Sequence, residues 1–217
     1  MEINVWLELL LLLPTVTSFI GVIIGGIFFN KLNDYCKYIY FYLVAAFITD
    51  LASRYLDIII NNNLILVSAF GFIELLIFSM IYYKLLSKTH HWSFKPVIAV
   101  LLLLIIVDII FVKPLDIQSF NSYGRVLDGL TIILLSLYFY WKVLKKDVIV
   151  KVEILRFNGV VLLFFLVNTL LFLTTNFLVN TPYNVVFSIL LINIIATPIF
   201  YIFLTFQLWL NGKIQKP

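Results

Sequence analysis

Seven apolar runs, each long enough to cross a bilayer, fill most of this chain. They lie at roughly 6–29, 38–60, 64–86, 96–112, 121–143, 157–179 and 183–210, and a spanning helix needs about 20 predominantly apolar residues. With 63% hydrophobic residues and a mean hydropathy of +1.10, too little polar surface remains to cover a water-exposed globule. The runs are too long for strands and lack the alternation of an outer-membrane barrel. The expected fold is therefore an all-α integral membrane protein, a single seven-transmembrane helix bundle over residues 1–217. The first run has no basic segment before it and no small-residue cleavage site, so it reads as a retained span. The short connections at 61–63 and 180–182 make the second and third runs, and likewise the sixth and seventh, antiparallel neighbours.

Loop charge sets the expected orientation, because basic loops stay cytoplasmic. Twelve of the 15 lysines and arginines fall on one side: Lys31, Lys37, Lys84, Lys88, Lys95, Lys142, Lys145, Lys146, Lys151, Arg156, Lys213 and Lys216. Arg54, Lys113 and Arg125 fall on the other, which puts the N-terminus outside and the C-terminus inside. Trp92, Trp141, Trp209, Tyr35, Tyr38, Tyr82 and Tyr83 would form the inner aromatic belt, with Trp6, Tyr55, Tyr123 and Tyr183 in the outer one. The bias toward Asn, Ile, Lys, Phe and Tyr suits an AT-rich bacterial gene and an inner-membrane location.

On that orientation the embedded polar residues crowd the outer half. Asp50, Arg54 and Asp57 share one face of the second run. Asp108 lies near the outer end of the fourth, Arg125 and Asp128 in the outer part of the fifth, Asn168 and Asn176 in the sixth, and Asn193 in the seventh. Several have a bland reading. Asp50 with Arg54, Arg54 with Asp57, and Arg125 with Asp128 can be local pairs that snorkel to water, Asp108 can meet water or Arg125, and the asparagines can be interhelical hydrogen-bond glue. Asn193, Thr197 and Tyr201 form a four-spaced stripe beside Pro198, which removes one backbone hydrogen bond. Glu74 stands apart, because nothing cationic lies within a turn and it sits mid-span with Gly71 one turn before it. Either it holds a proton or it pairs across helices with Arg54 or Arg125. Glu74, Asp50, Arg54, Asp108, Arg125, Asp128, Asn168 and Asn193 are thus the candidate ligand- or ion-binding residues.

Other chemistries lack their residues. Only Cys36 is present, so neither an intrachain disulfide nor a cysteine metal site is expected. His90 and His91 are adjacent in a loop and make a poor metal site, so no metal or other cofactor is expected. A retinal pigment needs a Schiff-base lysine in the last span, and 183–210 has none. Gly21, Gly25 and Gly26 read as small-residue helix packing. The basic fifth loop fits topology, anionic headgroups or a cytoplasmic partner protein rather than nucleic acid.

A three-plus-one-plus-three division puts Glu74 of the third run loosely against Asn193 of the seventh. This layout is similar to that of the small seven-helix sugar transporters built from triple-helix bundles, which also run N-outside to C-inside. The resemblance covers topology and one polar pair. Their proline–glutamine signature is absent, and Pro14 and Pro198 do not occupy matching helices. The leading expectation is a membrane sensor or receptor-like protein with a small-molecule, ion or lipid site in its outer half, relaying to a cytoplasmic partner. A transporter, channel or pore-forming effector using Glu74, alone or as a homo-oligomer, is the alternative. A lipid-modifying enzyme working through paired carboxylates is a third reading, and the reading leans away from an enzyme.

Overall fold

A computed structural model of the chain describes residues 2–60, 64–86, 99, 123–175 and 183–214. Among these, six long helices appear: α1 (Glu2–Phe28), α2 (Asp34–Ile60), α3 (Leu64–Leu86), α4 (Tyr123–Leu144), α5 (Val152–Thr175) and α6 (Tyr183–Ile214). All six are long and apolar enough to cross a membrane. They correspond to the first, second, third, fifth, sixth and seventh apolar runs. Apart from residue 99, the fourth run at 96–112 lies outside the described residues, as do Asp108, Asn176, Lys113, His90, His91 and the loops at 61–63 and 180–182.

Boundaries differ where charge interrupts apolarity. The sixth run reads from residue 157, yet α5 begins at Val152, because Glu153 and Arg156 are compatible with helix but not with an apolar window. Glu153 in that first turn also complements the positive helix N-terminus. α2 begins four residues before the run, at Asp34. Asn33 caps it, its Oδ1 accepting the Cys36 N–H at 3.0 Å. The Asn33 N–H in turn donates to Asn211 Oδ1 at 3.0 Å, tying this corner to the end of α6.

The helices close into a ring in which each packs on the next and α6 returns to α1. α1 and α2 are antiparallel, with Thr15 meeting Asp50 and Phe19 meeting Phe47. α2 and α3 are antiparallel, with Asp34 on Lys84 and Tyr42 on Glu74. The pairs α4–α5 and α5–α6 are antiparallel as well, as Ser136 with Asn158 and Tyr140 with Leu155, and Asn168 with Asn193 and Phe164 with Phe200, demonstrate. α3 and α4 instead run parallel: Glu74 meets Arg125 and, two turns on, Tyr82 meets Phe139. α1 and α6 are parallel too, joined by close approach at small residues. A Cβ on Gly21 would lie 2.6 Å from Thr205 Oγ1 and 2.7 Å from Leu43 Cδ1. Gly25 is equally tight against Tyr40 and Leu208, whereas Gly26 meets only the Tyr40 hydroxyl at 3.8 Å.

The turn after α4 satisfies the last carbonyls of that helix. Lys146 N–H donates to Val143 O at 2.9 Å and Asp147 N–H to Lys142 O at 3.1 Å, a Schellman arrangement. It requires a left-handed residue, and Lys146 supplies it at φ 61°. A non-glycine residue pays roughly 1–2 kcal/mol there, partly offset by the about 0.5–1 kcal/mol that glycine loses in chain entropy. Lys146→Gly is expected to stabilise the protein by about 0.5–1 kcal/mol. A thermal denaturation series in mild detergent checks this, and a lowered midpoint would refute it.

Candidate functional site

The most deeply buried charges meet between α3 and α4. Glu74 is 0% exposed and Asp128 1%, while the Arg125 side chain is 11% exposed. Arg125 Nη1 forms an ion pair with Glu74 Oε2 and donates to Asp128 Oδ2 at 3.0 Å. Tyr42 of α2 donates its hydroxyl to Glu74 Oε1 at 2.7 Å. The guanidinium lies between two rings, 5.3 Å from the centroid of Phe70 and 5.4 Å from that of Phe172. The parallel register of α3 and α4 produces this triad, and Gly71 packs beside it: a Cβ there would stand in ordinary contact, 3.4 Å from Arg125 Nη1 and 3.5 Å from Asp128 Oδ2.

Arg125 also forms one wall of a cleft of about 280 Å³. The other walls include Pro14, Asp50, Ser53, Asn168, Asn193, Thr197 and Tyr201. These lie toward the end of the bundle where α1, α3, α4 and α6 begin. Asn193 Nδ2 donates to Asn168 Oδ1 at 2.7 Å, and Thr197 Oγ1 donates to Asn193 Oδ1 at 3.0 Å, a chain that orients the amides of α5 and α6. Asp50 accepts from Thr15 Oγ1 and from Arg54 Nε at 3.2 Å, so α1 contributes to its positioning. Two prolines stand at this level. Pro14 lines the cleft and Pro198 follows Thr197, and their missing N–H groups release the carbonyls of Leu10 and Ile194 from helical bonding.

Below the cleft, rings of the described helices pack together. Phe164 stacks on Phe200 with centroids 3.9 Å apart; Phe165 is edge-on to both, Tyr42 is edge-on to Phe200, and Phe78 lies nearly parallel to Phe200. Tyr42, Phe78, Phe165 and Phe200 are each buried in the core.

Of the expected site residues, the structure brings Glu74, Arg125 and Asp128 into direct contact, and joins Asn168 to Asn193. Asp50, Arg125, Asn168 and Asn193 share the cleft, while Glu74 and Asp128 lie behind the guanidinium. Glu74 therefore pairs with Arg125, whereas Arg54 serves Asp50 and leaves Asp57 exposed and outside any ion pair among the described residues. The Arg125–Asp128 pair does not snorkel outward, since Asp128 is buried.

A second polar centre was not anticipated. Tyr82 donates to Asn158 Oδ1 at 2.7 Å, Ser136 Oγ donates to the same oxygen at 2.9 Å, and Asn158 Nδ2 donates to Ser136 O at 3.2 Å. Tyr82, expected in the inner aromatic belt, is fully buried here instead. Tyr83, Trp141 and Tyr55 do present exposed rings, and Lys145 and Lys213 sit over Trp141 and Trp209 at 4.0 and 3.9 Å. No known family model, curated protein sequence or solved structure is similar to this chain.

Proposed function

We propose that the chain is a seven-span membrane sensor that binds a small polar ligand from outside in the cleft and relays occupancy to a cytoplasmic partner at its lysine-rich end. The observation that carries this reading is the cleft's construction: polar groups from four helices, α2, α4, α5 and α6, above an aromatic floor packed across the described helices. A channel would need a polar path through that floor. The seven-span count is supported by the parallel course of α3 and α4. A connection between parallel helices must return across the membrane, and the apolar run at 96–112 is the segment available between them. Orientation is supported by charge, since Lys31, Lys84, Lys142, Lys145, Lys151 and Lys213 belong to the end opposite the cleft. A bacterial inner membrane suits both the topology and the composition.

Arg125 on one wall and Asp50 on another favour a ligand carrying both an acidic and an amine group. At about 280 Å³ the cleft falls just below the usual range of ligand sites, roughly 300 to 1,000 Å³, which suits a small ligand. Small zwitterionic amino acids added to the purified protein are expected to raise its melting temperature, and Asp50→Asn or Asn193→Ala to abolish the rise. The protein in dye-loaded liposomes is expected to pass neither dye nor ions. Ligand-independent ion flux would replace the sensor with a pore.

A further inference from the structure

Counting donors and charges in the triad leaves it one proton short. Asp128 Oδ1 is buried with no hydrogen-bond partner, and Glu74 Oε2, although against Arg125 Nη1, receives no aligned hydrogen bond. Both carboxyl groups lie against the same nitrogen, Arg125 Nη1, which sets them side by side. Two ionised carboxylates cannot bond to each other, because both only accept. One cation between two carboxylates would also leave a net negative charge where water is excluded, which is costly. A proton on either carboxyl solves both problems: its O–H bonds to the facing oxygen, and the charges sum to zero.

We propose that Glu74, Asp128 and Arg125 form a proton-binding site, with a single exchangeable proton held between the two carboxyl groups. Among the described residues, the surrounding elements offer no other base to hold it. α2 presents the Tyr42 hydroxyl, already donating to Glu74, and farther off Asp50, already paired with Arg54. α6 presents Tyr201, packed on Tyr42, and α5 presents Asn168 and Thr169, which do not titrate. Arg125 separates the proton from the cleft it lines, so movement of the guanidinium toward the cleft would open the route by which the proton exchanges with water. The site does not depend on which ligand fills the cleft.

Infrared difference spectra of the protein in lipid nanodiscs near neutral pH test this. Wild type is expected to show a protonated-carboxyl band that shifts in heavy water. Glu74→Gln and Asp128→Asn are each expected to remove it, because one carboxylate then matches one guanidinium. Both single variants should remain folded, while the double variant, with Arg125 unpaired, should lose more stability than the two singles summed. If a single variant fails to fold, carboxyl isotope labelling of wild-type glutamate or aspartate reads the same proton by NMR. A wild-type protein without a band that either substitution removes would overturn the proposal. So would a double variant as stable as the singles, or a triad stabilised by sodium over choline, which would put a metal cation in the proton's place.

Discussion

Replacing Arg125 with leucine is expected to cost about 3–5 kcal/mol of stability, the usual penalty for leaving a buried charge without its partner. Two carboxyl groups lose their common cation at once, since Nη1 serves both Glu74 and Asp128. Leucine also gives up the cation–π contacts with Phe70 and Phe172. Lysine in place of Arg125 should recover part of the loss, because a compact ammonium supplies the charge without the planar fork. Glu74→Gln together with Asp128→Asn in the Arg125→Leu background should recover more, the effects being strongly non-additive among residues in one network. Chemical denaturation in mild detergent reads all of these. A loss below about 1 kcal/mol for Arg125→Leu, the range of exposed pairs, would mean the pair is solvated rather than buried.

Asn158→Leu is expected to be the next most damaging change, at about 2 kcal/mol. Three hydrogen bonds disappear, linking α3, α4 and α5, and Tyr82 and Ser136 lose their buried acceptor. Between membrane helices such bonds average roughly 0.6 kcal/mol each, because the dissociated helices also find partners in the bilayer. Tyr82→Phe removes only one of the bonds and should cost about a third as much. Equal losses from the two variants would show that Asn158 acts through packing alone.

The helices were legible as long apolar runs because a bilayer leaves few ways to satisfy a backbone. Glu74 was legible for the same reason, as an acid too deep to reach water. Its partner was narrowed to Arg54 or Arg125, and no more, because choosing between them needs the register of α3 against α4. Asp128 was legible as a candidate, but its place beside Glu74 was not: three residues from Arg125, it can equally be half of a local surface pair, and the depth of the helix makes it a buried group. Asn158 escaped notice because it lies beside Arg156 at the margin of an apolar run, where an amide reads as solvated; α5 extends past that margin and carries it inside. Thr15 and Tyr42, which hold Asp50 and Glu74, carry no local signal, since a hydroxyl in an apolar helix has many uses.

The parallel course of α3 and α4 also orders the protein's biogenesis. Two helices that run the same way cannot enter a bilayer as one hairpin, and a chain made at about 5–20 residues per second delivers Glu74 to the membrane seconds before Arg125 exists. An acid at mid-helix adds roughly 2.5–3.5 kcal/mol to insertion, which the leucines, isoleucines and phenylalanines of α3 offset at about 0.3–0.6 kcal/mol each. α3 can therefore insert before its counter-ion is made, as a span held in the bilayer by its apolar residues alone. The arrival of α4 then supplies the missing cation, so docking of α4 on α3 becomes a charge-driven step that precedes closure of the ring by α6.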